Sequence, residues 1–134
     1  MFKITPINEK AKQRELVATC GAEYREDFFA YAMVNNDSGE LMGISQFEIM
    51  GECGYISDIR SARNTDDFEA MFILGRATMN FIDMCGIHTC RAAKNAGDER
   101  LIKAIGFKLR DGEYEADMTG MFDGHCSGKS KENL

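Results

Sequence analysis

Residues 55–107 constrain the fold most, because they read as strand, helix, strand and helix with short joins. Tyr55, Ile56, Ser57, Asp58 and Ile59 form a short apolar-rich run that predicts a strand. Asn64, Thr65, Asp66 and Asp67 follow, and their side chains accept from the bare amides of a helix start. The pattern predicts a long helix over 68–85, stopped by Gly86, and a second strand over 87–92. A second helix is expected over 98–105, closed by Gly106 and Phe107. Two strands joined by a helix lie parallel, and such a crossover is right-handed.

The long helix carries Phe68, Met71, Phe72, Gly75, Met79 and Ile82 on one stripe at helical spacing. Ile73, Leu74, Ala77, Phe81 and Met84 widen that surface. Such a helix needs a second cover besides the sheet. The first helix of the chain and another subunit are the two choices, so a homodimer is one expectation. Arg76, Asn80 and Asp83 interrupt the apolar run, which makes it a core helix rather than a membrane span.

The flanking segments add strands to this unit. Residues 2–7 read as a strand, and Asn8 as the cap of a helix running through Cys20. That helix has a thin apolar face (Ala11, Leu16, Val17, Cys20), which places it on the surface of the sheet. Residues 28–34 and 41–50 flank a polar turn containing Gly39 and form an antiparallel hairpin. A turn over 51–54 leads into the strand at Tyr55. Near the end, Asp111-Gly112 between two short strands predicts a type I′ hairpin. The sum is an α/β (α+β) domain with a mixed sheet, ordered β-α-β-β-β-α-β-α-β-β. It spans 1–126, and 127–134 is a polar tail.

Composition narrows the function. At 134 residues, 44 % of them hydrophobic, the chain can bury one sizeable core. The net charge is −6, and no Lys/Arg cluster precedes the tail, which argues against a phosphate-tracking nucleic-acid surface. The five cysteines are an odd number without a CxxC pair, and residues 1–4 carry no apolar leader. These features predict free thiols in a reducing, cytoplasmic setting. His88 and Cys90, two apart on a strand, would share a face, with His125 and Cys126 adjacent near the end. They form a metal or thiol–base set only if the fold gathers them. No pair has zinc-finger spacing, and a buried Cys90 with a satisfied His88 is the expectation, hence no metal.

The element order and the run from Asn95 to Phe107 resemble the GNAT N-acetyltransferase superfamily. Asn95, Asp98, Leu101, Ile102, Ile105, Gly106 and Phe107 stand where the family writes Asn…Ala…Leu-Tyr…Leu-Gly-Phe. The resemblance implies a V-shaped splay between two parallel central strands, here 55–59 and 87–92. It implies acetyl-CoA in that V, its pantetheine pairing with backbone at Ile59, Arg60 and Ser61. Its pyrophosphate would sit at the start of the long helix, near Arg63, Asn64 and Thr65, and Asn95 is a further cofactor-binding candidate. The acceptor would be an amine on a small molecule or peptide.

Two departures accompany the resemblance. The family's phosphate loop, Gln/Arg-x-x-Gly-x-Gly/Ala, is glycine-rich, whereas residues 60–69 contain no glycine and carry Asp66, Asp67 and Glu69. Carboxylates there satisfy the helix dipole themselves and repel phosphate. The family's leaving-group tyrosine is replaced by Ile102, which has no proton to give. Tyr55 and Tyr114 do not stand at the matching position, and packing is the expectation for both. Deprotonating an ammonium requires a base, for which Asp58 and then Glu48 are the candidates. Asp58 has a competing role, capping a loop or pairing with Arg60. Two readings follow: an N-acetyltransferase with an atypical pyrophosphate loop, or an inactive GNAT-fold binding module that has lost the acetyl-CoA site.

Overall fold

A computed structural model describes residues 1–63 and 65–123. Its elements are β1 (Phe2–Pro6), α1 (Lys10–Thr19), β2 (Phe29–Asn35), β3 (Leu41–Met50), β4 (Cys53–Ser61) and α2 (Phe68–Met84). There follow β5 (Thr89–Ala92), α3 (Glu99–Ala104), β6 (Lys108–Arg110) and β7 (Glu113–Asp117). The order is the one expected. The strands form a 7-stranded sheet ordered β1-β2-β3-β4-β5-β7-β6, in which β4 and β5 are parallel and the other neighbours antiparallel.

Strand alternation gives the sheet two faces. One face meets α2 and α3 through Met33, Phe47, Ile56, Ile59, Tyr114 and Ala116. Leu74, Met79 and Ile82 of α2 and Ile102 of α3 are fully buried there. Each such side chain contributes about 2 kcal/mol of transfer free energy, so this layer carries the core. On the other face α1 sets Val17 and Cys20 against Ala32, Ile44 and Ala62. Among the described residues no helix covers the β5–β7–β6 half on that side. Its outward residues Arg91, Glu113 and Asp117 are exposed.

One irregularity decides which way β4 points its side chains. Gln46 pairs with Asp58 but Phe47 pairs with Ile56, so Ser57 is the extra residue of a bulge. Ile56 and Ile59 therefore both reach the α2 core, and Asp58 turns to the α1 face beside Gln46.

Several local expectations are corrected. α1 begins at Lys10 with Glu9 at its cap position and no side-chain cap. Asn8 lies one residue ahead of the cap, since the first helical bond runs from the Gln13 amide to the Glu9 carbonyl at 2.9 Å. β5 is shorter than 87–92, since the Ile87 amide turns back to the Ile82 carbonyl at the end of α2. The second cover of α2 is not α1, which lies on the opposite face. It is α3, together with Met121 and Phe122, which pack on the main core. The Asp111-Gly112 hairpin is as expected, with φ of 52° and 83°. Asn64, His125, Cys126 and the tail over 127–134 lie outside the described residues.

Candidate functional site

β4 and β5 pair over three rungs, Gly54 with Cys90, Tyr55 with Arg91 and Ile56 with Ala92. They then part. β4 runs on to Ser61 while β5 ends, so a V opens toward the start of α2. The segment 93–97 crosses its mouth as a strap. The Ala93 amide donates to the Ile56 carbonyl at 2.9 Å, and the Ile59 amide donates to the Ala96 carbonyl at 2.8 Å. Gly97 lies so close to β4 that a Cβ there would stand 2.5 Å from the Ile59 carbonyl oxygen. Arg60 ties the two sides together: its Nε donates to Asp58 at 3.0 Å, and a terminal nitrogen donates to the Asn95 carbonyl.

Two helix starts converge at the open end of the V. Asp67 caps α2 by accepting from the Ala70 amide at 3.0 Å, and Asp98 caps α3 by accepting from the Leu101 amide at 3.2 Å. Together with Asp66, Ser61, Phe68 and Arg100 they line a cavity of about 310 Å³. Arg100 is its one cation, and the guanidinium lies 4.1 Å from the Phe68 ring centroid. Three carboxylates against one arginine make this end of the groove negative. A dipole that could hold an anion already faces the protein's own acids.

No protein-family model matches the chain, and no curated protein matches its sequence. Solved structures do match. The PaiA N-acetyltransferase of Thermoplasma acidophilum, in complex with coenzyme A, superposes with a TM-score of 0.68 at 12 % identity. That match covers 87 % of this chain and 99 % of the other. The ribosomal-protein-S18-alanine N-acetyltransferase of Escherichia coli gives 0.66 at 12 % identity, over 88 % and 94 % of the two chains. N-acetylglutamate synthase of Neisseria gonorrhoeae, complexed with coenzyme A and N-acetyl-glutamate, gives 0.69 at 13 % identity, over 88 % of this chain and 35 % of the other. The chain has the GNAT fold.

On that GNAT fold the sequence candidates divide into three groups. Ile59 and Arg60 lie on β4, the Ile59 amide and a terminal nitrogen of the Arg60 side chain being engaged by the strap. Ser61 lines the acidic cavity. Thr65 is half-buried, with its amide donating to the Ala62 carbonyl at 3.1 Å, and Arg63 is exposed. Asn95 has an exposed side chain, and its carbonyl is held by Arg60.

Asp58 is 4 % exposed. One carboxylate oxygen accepts from Gln46 Nε2 at 2.9 Å and Ser57 Oγ at 2.8 Å, and the other accepts from Arg60. The network continues. Gln13 Nε2 of α1 donates to Gln46 Oε1 at 3.1 Å, and the Arg25 amide donates to the same oxygen at 3.1 Å. Arg25 Nε stands 4.0 Å from Asp58. Sequence reasoning missed Gln13 and Gln46. Both are fully buried, and their signal was a polar residue at a core position: Gln13 precedes Val17 and Cys20 on the helical stripe, and Gln46 lies amid the apolar run of β3.

Glu48 is half-buried on β3, directly opposite Tyr55, and makes no hydrogen bond or ion pair among the described residues. Tyr55 is half-buried, with its ring edge-on to Phe28 at 6.2 Å. Tyr114 and Ile102 pack in the core. His88 and Cys90 do not share a site. His88 precedes β5, is exposed, and its Nδ1 lies 2.6 Å from Asp83. Cys90 is sealed in the core, where burial pushes its thiol pKa upward. Among the described residues no cluster of His, Cys, Asp and Glu could hold a metal ion. Nor is any described helix long and apolar enough to cross a membrane.

Proposed function

We propose that the chain is an acyl-CoA-dependent N-acyltransferase acting on an amine, small-molecule or peptide. One observation carries this reading: parallel β4 and β5 part after Ile56 and Ala92, with α2 starting at the open end. The solved structures that share this fold include acetyltransferases with coenzyme A bound. A parted strand pair offers backbone to an extended thioester arm, and acyl-CoA supplies the activated carbonyl. Glu48, beside Tyr55 and free of partners among the described residues, takes the role of base toward the acceptor ammonium. Asp58 has both oxygens engaged and holds Arg60, so its role is positioning. Ile102 gives the leaving thiolate no proton, which comes instead from the nitrogen or from water.

A second reading is favoured by other observations. The Ile59 amide is taken by Ala96, and Asp67 and Asp98 occupy the helix starts. These features suit a GNAT-fold binding module without a coenzyme site. The charge at the phosphate end and the engaged Ile59 amide fit coenzyme A poorly, whereas the parting of β4 and β5 suits its arm. Thermal unfolding with coenzyme A, with and without the Asp66→Gly/Asp67→Gly double substitution, separates the readings. Under the first, millimolar coenzyme A raises Tm, and the double variant gains a larger rise from a lower start. Loss of the Asp67 cap to glycine sets that start only about 0.3 kcal/mol down. No rise in either protein would favour the module.

A further inference from the structure

A second cavity, of about 480 Å³, opens where β4 and β5 part, on the side of the sheet that no described helix covers. Its lining includes Tyr55 of β4, Arg91 of β5, Lys94 and Asn95 of the strap, and Glu113 beside the hairpin tip. The volume is that of a small-molecule site. Two cations against one carboxylate make it locally positive in a chain of net charge −6, opposite in sign to the acidic cavity. Arg91 has only a loose contact, its Nε standing 3.8 Å from Glu115. Lys94 makes no hydrogen bond or ion pair among the described residues.

The strap is held in place by backbone. The Ala93 amide bonds Ile56, the Ala96 carbonyl accepts from Ile59, and Arg60 fastens the Asn95 carbonyl between them. Lys94 is thus carried by a strap fixed to β4 on both sides. Arg91 projects from β5 as the register partner of Tyr55, one residue short of the last rung of the V.

We propose that this cavity binds an amine that carries its own carboxylate, such as an α-amino acid, as the acyl acceptor. The inference rests on the acyltransferase reading above. The carboxylate is held by Lys94 and Arg91, and the ammonium lies between Glu113 and the V, with Glu48 behind Tyr55. The ammonium gives one proton to Glu48. The C–N bond forms as the thioester C–S bond breaks, and the second proton leaves nitrogen for the departing thiolate.

The test uses the full chain with glycine, L-alanine, L-glutamate and L-lysine as probes, each beside its carboxamide. Thiol release from acetyl-CoA gives kcat and KM, and ¹⁵N-resolved amide shifts without acetyl-CoA report binding. Expected are a KM at least tenfold lower for one or more acids than for the amides, and shifts at Ala93, Lys94, Gly112 and Glu113. Lys94→Ala raises the KM for the acid about tenfold, leaves kcat unchanged, and does not affect the carboxamide. Equal turnover of acid and amide, unaltered by Lys94→Ala, overturns the carboxylate site and leaves the acyltransferase reading standing. Amide shifts on acid binding without thiol release support the site and remove the acyltransferase reading. Neither shifts nor acid-selective turnover removes the site.

Discussion

Gly97→Ala tests the strap directly. The added Cβ would stand 2.5 Å from the Ile59 carbonyl oxygen, whereas ordinary contact begins at 3.4 Å. The obstructing atom is backbone in the middle of the sheet, so the strap must retreat by roughly the difference, about 1 Å. The Ile59-to-Ala96 bond is 2.8 Å long and lies beside this contact, so the retreat carries it beyond hydrogen-bond range. Ile59 and Ala96 are both buried, so the freed amide and carbonyl find no water. Leaving such groups unpaired costs about 2 kcal/mol, and for a domain of this size that lowers Tm by about 8 °C. Differential scanning calorimetry of the two proteins reads this. A fall of less than about 2 °C would refute the claim that the strap is packed and bonded against β4.

Two further perturbations separate structure from chemistry. Asp58→Asn leaves Arg60 without its buried counter-charge and should lower unfolding free energy in urea by about 3 kcal/mol, whereas Glu48→Gln should stay within about 0.5 kcal/mol. Under the acyltransferase proposal Glu48→Gln instead lowers kcat about 100-fold, and an unchanged kcat would remove Glu48 as base. Burial pushes the Cys20 thiol from 9.0 up to about 11. The folded state therefore holds that proton longer than the unfolded chain. The resulting stability is complete below pH 9.0 and is lost as pH rises toward about 11. Over that window Cys20→Ala should flatten the decline in urea stability by about 2 kcal/mol, and parallel curves would contradict the burial argument.

Most of the fold was legible because its signals are local. The stripe of α2, the Gly86 stop and the Asp111-Gly112 turn each depend on a few neighbouring residues, and the element order follows from them. What escaped depends on distant partners. Nothing near Asn95 in sequence says that its carbonyl will meet Arg60. Nothing near Gln13 says that its amide will meet Gln46, 33 residues on. The carboxylates at the start of α2 were visible, and the structure adds Asp98, brought to the same cavity by α3. The α1 start was misplaced by one residue because Asn8 is a good cap by type, whereas Glu9 holds the cap position without a side-chain bond. His88 and Cys90 do not gather into a site because β5 begins only at Thr89, and the His88 ring meets Asp83 at the end of α2.

The extra residue at Ser57 has a consequence for how this sequence can change. Ahead of it, even-numbered side chains of β4 enter the apolar layer; after it, odd-numbered ones do. Deleting Ser57 would leave Ile56 inward, Asp58 outward and Ile59 inward in simple alternation, whereas pairing all nine residues without the bulge would drive the Asp58 carboxylate among Leu74, Ile82 and Ile105, where it has no counter-ion. The turn at Asn36 to Gly39 is exposed and tolerates length changes at little cost.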